Sequence, residues 1–263
     1  MKKAVRRFGT ALLGVTLAGI LLTLPRISWA AQNSGSDAQA VQMAAAAKLN
    51  KKQYHNLKVS VKDGIATLTG AVSLYEYKVD AGRRVLHAHG VTAVRNEINV
   101  GGPNISDAQL EKKLGKELAY NRQGYDSVFD AITLRVKNGV AILGGHAHNY
   151  PNRDAAVGLA ATTPGVKGVI DDIEVDPVSP MDWRIRLAVA RAIYGNPTMT
   201  QYAINPVRPI RISVQNGHVE LYGTVDSKMA RNIAFMEANA VPGVFSVKNY
   251  IQMAGQPEPP AQK

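Results

Sequence analysis

The sequence contains no cysteine, and only 6% of its 263 residues are aromatic. Without cysteine the chain forms neither disulfide bonds nor thiolate metal sites, so cross-links cannot stabilise it. With so few aromatic residues, its hydrophobic cores must be mainly aliphatic. Charged residues make up 19% and hydrophobic residues 46%, which is typical of a globular protein. We therefore expect small aliphatic cores that are stable by packing alone.

The first thirty residues predict an export signal. Four basic residues precede an apolar run over residues 11–24, and Ser28 and Ala30 are small residues placed for cleavage after Ala30. The apolar run is short for a membrane span, and an uncleaved anchor is the alternative. We therefore expect residues 1–30 to be a signal peptide and the protein to be periplasmic, with full secretion as the alternative.

The formal net charge is +11, but the first thirty residues contribute five basic residues and no acidic one, which leaves +6. Residues 36–101 and 181–251 carry +4 each, whereas residues 102–176 carry −2. An exported protein does not meet cytoplasmic nucleic acid. Anionic lipid headgroups or cell-wall polymers are therefore the expected counter-charges.

A pattern of glycine and aliphatic residues recurs three times with constant spacing. Each copy begins with Gly-x-x-x-Leu-x-Gly, continues with Gly-Val twenty-six residues after the first glycine, and closes with Val-x-[Asn/Asp]-x-Ile. The constant spacing predicts a tandem array of one small module. The first glycines are Gly64, Gly139 and Gly217, and the Gly-Val pairs begin at Gly90, Gly165 and Gly243.

Each module is predicted to have the order α-β-β-α-β. Two alternating apolar-polar segments meet at Asp-Gly or Asn-Gly, which is typical of a type I′ hairpin turn. The helix between the second and third strands makes a crossover, which favours parallel pairing. The predicted fold class is α+β, with three tandem modules, each a three-stranded mixed sheet with two helices on one face. The expected boundaries are 36–101, 105–176 and 181–252, with a stiff linker at 176–180 and a disordered tail at 253–263.

Helix ends are predicted from capping residues. The second helices are expected to begin at a Ser73-x-x-Glu76 capping box, at Asn149 and at Asp226, and Asp182 is the expected cap of the third module's first helix. The glycine of each Gly-Val pair is expected to cap the second helix at its C-terminus. Small residues on the second helices predict close packing on the sheet. They are Ala81, Ala156 and Ala234, followed one turn later by Val85, Ala160 and Ala238.

Candidate catalytic and metal sites are sparse. His87-x-His89 and His146-x-His148 are the metal candidates, but neither cysteine nor a carboxylate cluster accompanies them in the sequence. We expect them to be polar surface and loop positions, and we expect no metal or cofactor. No nucleophile with a base and no phosphate loop is found, so we expect a protein that is not an enzyme.

A membrane-facing surface is predicted on the helix that opens the third module. Trp183 and Arg184 begin it, Arg186 is nearby, and Arg191 shares the face of Arg184. The alternative places Trp183 in the core, together with Tyr194, and leaves the arginines merely solvated. Two further candidate lipid contacts lie elsewhere: Met199 and Tyr202 in a loop, and a basic patch of Lys48, Lys51 and Lys52.

The repeated pattern resembles the BON domain, over three modules that cover nearly all of the chain after residue 35. The third copy departs from the pattern by an insertion at residues 197–209. The resemblance implies a non-enzymatic bacterial envelope or periplasmic protein that binds phospholipid surfaces and acts in osmotic or membrane stress. A protein-interaction or adaptor module without lipid contact is the alternative, because small sheets have edges that accept a partner strand.

Overall fold

The computed structural model describes residues 29–120, 128–204 and 209–255. The predicted signal peptide up to residue 28 and the predicted disordered tail from residue 256 lie outside these ranges. The described residues from Ala38 onward form one compact unit. In the three described ranges, none of the helices combines the length and the apolarity that crossing a bilayer requires.

The three modules repeat the predicted element order. The first contains α1 (Trp29–Ala47), a one-turn 3-10 helix (Lys52–Tyr54), β1 (Leu57–Lys62), β2 (Ile65–Val72), α2 (Tyr75–Leu86), β3 (Ala93–Asn96) and β4 (Asn99–Val100). The second contains α3 (Asp107–Tyr120), β5 (Ala131–Lys137), β6 (Val140–Ala147), α4 (Tyr150–Thr162), β7 (Gly168–Asp171) and β8 (Glu174–Val175). The third contains α5 (Pro180–Gly195), α6 (Thr200–Ile204), β9 (Arg211–Gln215), β10 (His218–Tyr222), β11 (Thr224–Val225), α7 (Lys228–Asn239), β12 (Ser246–Asn249) and β13 (Gln252–Met253).

Each module confirms the α+β prediction of a small mixed sheet. The hairpin strands pair antiparallel, and the strand after the second helix pairs in parallel with the central one. Asn138 and Gly139 have φ angles of 54° and 75°, as a type I′ turn requires. The predicted small residues of the second helices are buried, which lets each helix pack closely on the inner face of its sheet.

The predicted last strand of each module is broken in two by the Asn or Asp of the closing pattern. The Asn96 carboxamide accepts a hydrogen bond from Ile98 N at 3.3 Å and donates one to Lys78 O of α2 at 2.7 Å. Asn249 makes the equivalent pair of bonds, to Ile251 N and to Arg231 O of α7. This residue therefore ties the third strand to the second helix, which explains why the repeat contains it.

Several predicted helix ends are wrong. Asn149 caps α4 as expected, accepting from Asn152 N, but α2 begins after Leu74 without a side-chain cap. Ser227 caps α7 in place of Asp226, and Ser179 caps α5 in place of Asp182. The acceptor comes from the serine directly after Asp226 in α7 and from the serine three residues before Asp182 in α5, so neither aspartate is the cap. The glycines of the Gly-Val pairs do have positive φ angles but lie three or four residues beyond the helix ends, in a following turn.

The first helix of each module covers the outer edge of its hairpin with one side chain. Gln42 donates to Val59 O at 2.6 Å and accepts from Val61 N at 2.7 Å. Glu111 accepts from Val136 N at 2.8 Å. Arg186 donates to Val214 O at 2.6 Å. Because the backbone groups of an edge strand otherwise remain open to a partner strand, these contacts protect one edge of each sheet.

An aspartate one turn earlier on the first helix binds the hairpin turn in modules two and three. The Asp182 carboxylate accepts from Asn216 N at 3.0 Å and from Gly217 N at 2.8 Å. Asp107 binds Asn138 N and Gly139 N in the same way. Module one has Ala38 at this position, so it cannot form these hydrogen bonds between helix and hairpin turn. The residue that the sequence suggested as a helix cap therefore joins the helix to the hairpin.

Replacing Asp182 by alanine is expected to lower the free energy of unfolding of the protein by about 1–3 kcal/mol, because two turn amides lose a charged acceptor in a buried place. Urea denaturation of wild type and variant measures the difference. Asp154→Ala, at an exposed position of α4, is the control, and we expect it to change stability by less than about 0.5 kcal/mol. Equal effects of the two substitutions would contradict a stabilising contact between Asp182 and the hairpin turn.

Candidate functional site

Three residues of the predicted lipid-contacting set are buried in the structure. Arg186, Met199 and Tyr202 are 3%, 0% and 3% exposed. The insertion at 197–209, where residues 205–208 lie outside the described ranges, was expected to offer Met199 and Tyr202 to a membrane. Instead both enter the core of module three, and the Tyr202 hydroxyl accepts from Asp226 N at 3.0 Å. The prediction failed because the insertion forms α6, which folds back on α5.

Arg186 is held in a buried polar network at the junction of modules two and three. Its guanidinium donates to the Asp176 carboxylate at 2.7 Å, and both side chains are almost fully buried. Ser213 and Gln215 of β9 also donate to Asp176, at 3.1 and 2.9 Å. Asp176, predicted as the start of a linker, is therefore a buried contact of module two with module three. Burial raises its pKa, but hydrogen bonds from His146 and Gln215 and the charge of Arg186 outweigh burial and hold the pKa below its usual value.

The His146-x-His148 pair lies at this same junction. His146 Nδ1 is 3.4 Å from the Asp176 carboxylate, and this hydrogen bond raises the pKa of His146 although burial opposes it. His148 packs its ring against Trp183 of module three. In the described part of the chain no group of three metal-ligating side chains forms. The expectation of a polar surface position is therefore wrong for this pair, because both rings are partly buried between modules.

The remaining α5 candidates lie on an exposed face. Arg184 and Arg191 are exposed, and Trp183 is 38% exposed although its ring contacts Phe129 at 5.2 Å and His148 at 6.1 Å between centroids. The Trp183 side chain is therefore partly exposed, because one side of its ring packs against module two. Lys48, Lys51 and Lys52 are also exposed, between α1 and β1.

Two apolar residues missed by sequence reasoning extend the α5 surface. Val178 is 96% exposed and Met181 is 50% exposed, directly before Trp183 and Arg184. Pro177 and Pro180 could have signalled them, because the prolines hold a short extended segment at the start of the helix. We call Val178, Met181, Trp183, Arg184 and Arg191 the α5 surface.

A second group of polar and aromatic side chains lies on the sheet of module three. Glu220 of β10 accepts from Lys248 Nζ at 3.2 Å and from the Tyr222 hydroxyl at 2.5 Å. Tyr222 stacks on Tyr250, with 5.1 Å between ring centroids. Burial, and after it the hydrogen bond to Glu220, raises the pKa of Tyr222, so its hydroxyl stays a donor. His218 lies beside them on β10 and contacts the exposed Phe245.

The three α-β-β-α-β modules define a tandem-repeat protein. The BON domain model matches residues 37–102, 106–177 and 200–255, and the chain belongs to the BON domain family. BON is a non-catalytic, binding-type domain associated with periplasmic and envelope proteins. The third match begins after α5, so the α5 surface lies outside it.

Solved structures similar to the chain include CdsD, a structural protein of the type III secretion system of Chlamydia trachomatis. One CdsD structure is 15% identical, with a TM-score of 0.23, and covers 83% of this chain and 92% of its own. A CdsD C-terminal domain is 13% identical, with a TM-score of 0.22, and covers 82% of this chain and 96% of its own. A search of curated proteins finds no match. Such low TM-scores carry no functional argument.

Proposed function

We propose that this BON-domain protein is a non-enzymatic periplasmic protein that binds anionic phospholipid or other envelope surfaces and protects the envelope under osmotic or membrane stress. The observation that carries the proposal is the α5 surface, where exposed apolar residues stand directly beside exposed arginines. Such a helix end can place apolar groups at the acyl boundary while its arginines meet headgroups.

The arrangement of the α5 surface supports shallow, charge-dependent binding. Arg184 and Arg191 are two helical turns apart on one face, and each contributes about 1 kcal/mol near an anionic leaflet. Val178 and Met181 add exposed apolar area at the start of the helix. Trp183 is held by Phe129 and His148, so little side-chain freedom is lost on binding. Lys48, Lys51 and Lys52 are a further basic group that could meet the same kind of surface.

A protein-binding role is the second candidate, and one observation favours it. The side chains of Met229 and Met236 on α7 are 68% and 66% exposed, and they lie two turns apart on one helix face. Exposed methionines of this kind are common on surfaces that bind other proteins. A stoichiometric partner recovered from envelope extracts, in the absence of vesicle binding, would support this candidate instead.

Co-sedimentation with vesicles tests the lipid proposal. We expect the chain from residue 31 to sediment with phosphatidylglycerol vesicles at low salt and not with phosphatidylcholine vesicles. Replacing Arg184 and Arg191 by glutamine is expected to weaken binding about 30-fold, because two charges worth about 1 kcal/mol each are removed.

The matched control is Arg95→Gln with Arg135→Gln, which removes two exposed arginines from the sheets of modules one and two. We expect this control to bind vesicles nearly as well as wild type. Absence of binding to phosphatidylglycerol at low salt would contradict the proposal, and so would binding that ignores lipid charge.

A further inference from the structure

The outer sheet face of module three differs in chemistry from those of the other two modules. This face consists of the strand side chains that point away from the helices. In module three its centre is Glu220, with Lys248 as its partner on the neighbouring parallel strand and Ser213 on the other side. We call the following set the module-three face: Ser213, Gln215, His218, Glu220, Tyr222, Ser246, Lys248 and Tyr250.

The carboxylate and the ring of β10 have no counterpart at the equivalent positions of the other modules. The positions of Glu220 and Tyr222 are taken by Thr67 and Thr69 in module one. In module two they are taken by Ile142 and Gly144. The repeat requires only that these strands pair, since the pairing uses backbone groups. The aromatic rings and the carboxylate of module three are therefore not explained by the scaffold.

Module two closes one side of the module-three face and makes it concave. A cavity of about 290 Å³ is lined by His146 of module two together with residues of β9, β10 and β12. An adjoining hollow of about 400 Å³ extends along His218, Glu220 and Lys248. The stacked rings of Tyr222 and Tyr250 lie toward one end, and Phe245 lies beside His218 at the other. The volume suits a single small ring or one unit of a polymer.

The charges of the cavity are already paired within the protein. Lys248 and Tyr222 both donate to Glu220, and the hydrogen bond to Glu220 raises the pKa of Lys248. Asp176, behind the cavity, is paired with Arg186. A phosphate or sulfate group would need a fork of uncommitted cationic donors. A purely apolar ligand would leave the carboxylate, amide and hydroxyl groups without solvent.

We propose that the module-three face is a binding site for a neutral saccharide unit of an envelope glycan. Sugar hydroxyls both donate and accept hydrogen bonds, which matches the Glu220 carboxylate, the Gln215 amide and the Ser246 hydroxyl. The apolar C–H face of a sugar ring packs against aromatic rings, which Tyr250 and Phe245 provide at the rim. This site lies on other residues than the α5 surface and does not depend on lipid binding.

Titration of the chain from residue 31 with oligosaccharides tests the site. N-acetylglucosamine tetramer and a linear glucose tetramer are the two probes, because the same ring chemistry occurs in N-acetylated and in unmodified glycans. We expect at least one probe to shift the backbone amide NMR signals of residues 213–222 and 246–250, leaving those of residues 57–72 unchanged. Glu220→Ala is expected to weaken binding about 10-fold or more, as loss of a charged hydrogen-bond acceptor predicts.

Thr67→Ala is the matched control, because Thr67 has the same position on the sheet of module one. It should leave saccharide affinity unchanged. The far-ultraviolet circular dichroism spectrum of Glu220→Ala should match that of wild type, which shows that the variant is folded. Its vesicle sedimentation should also equal that of wild type, which separates this proposal from lipid binding. The probes are used at about 10 mM, a concentration that would detect even a weak, millimolar affinity. Absence of shifts with both probes would overturn the proposal. So would wild-type saccharide affinity in Glu220→Ala.

Discussion

Replacing Asp176 by alanine is expected to lower the free energy of unfolding by about 3–5 kcal/mol, because Arg186 is left as a buried charge without an anionic partner and keeps only the carbonyl of Val214. Both side chains are inaccessible to solvent, at 0% and 4% exposure, and the carboxylate also accepts from Ser213 and Gln215. Urea denaturation followed by far-ultraviolet circular dichroism measures the loss. A change below about 1 kcal/mol would contradict a buried ion pair at this junction.

The control for this substitution is Asp172→Ala, since Asp172 is an exposed aspartate just after β7. Its effect is expected to stay within about 0.5 kcal/mol. A double variant, Asp176→Leu with Arg186→Met, is expected to recover part of the loss. It removes both charges and fills the space with apolar side chains, which is often neutral or stabilising.

The contact between Asp176 and His146 predicts that stability depends on pH. The folded protein holds the pKa of Asp176 below its usual value, so the contribution of Asp176 is present above about pH 4 and is lost as the pH falls through the folded pKa. The pKa of His146 is raised, so its contribution has the opposite sign and is lost as the pH rises through its folded pKa. Acid denaturation of wild type should therefore be steeper than that of the Asp176→Ala variant.

Replacing Gly145 by alanine is expected to lower the free energy of unfolding by about 2–5 kcal/mol. Gly145 lies in β6 with a φ of +79°, and a Cβ there would stand 2.1 Å from the backbone oxygen of Ala131 on the paired strand. Strain at positive φ costs about 1–3 kcal/mol, and relief of the clash requires the hairpin to move at similar cost. Thermal unfolding of the protein measures the effect.

Gly158→Ala is the control with the opposite expected sign. Gly158 lies within α4, and an added Cβ would meet no atom within 4 Å. Alanine is favoured over glycine in a helix interior by about 0.8–1.0 kcal/mol, so this substitution should stabilise the protein. If both substitutions shifted stability in the same direction, the close backbone approach at Gly145 would be contradicted.

The elements of each module could be predicted from sequence because local chemistry decides them. The turn at Asn138 and Gly139 follows from the conformations that these two residues tolerate, and the buried alanines of α4 follow from helical spacing. Helix starts were less predictable. Asp182 and Asp226 resemble caps in the sequence, but a nearby serine takes that role in each case. Which of two nearby acceptors caps the helix depends on where the chain enters the helix.

The surface residues were predicted less well than the elements. Arg184, Arg191 and the three lysines are exposed as their charge suggests, whereas Arg186, on the same helix, is buried. Helical spacing alone puts Arg186 two residues from Arg184 and so on a different face, but it does not say what that face meets. Its partner Asp176 comes from the end of module two, which only the packing of the modules reveals.

The sequence by itself determined the repeat, the strand and helix order, and the membership of a family of binding modules, because constant spacing and turn chemistry act within short stretches of chain. The tertiary structure alone decided which side chains remain available at the surface. It placed Met199 and Tyr202 in a core, brought His146 and Asp176 against module three, and left Val178 and Met181 exposed beside Arg184. These outcomes depend on contacts between residues far apart in sequence. Arg186, for example, is a buried ion-pair partner and not a surface charge, because Asp176 packs against it.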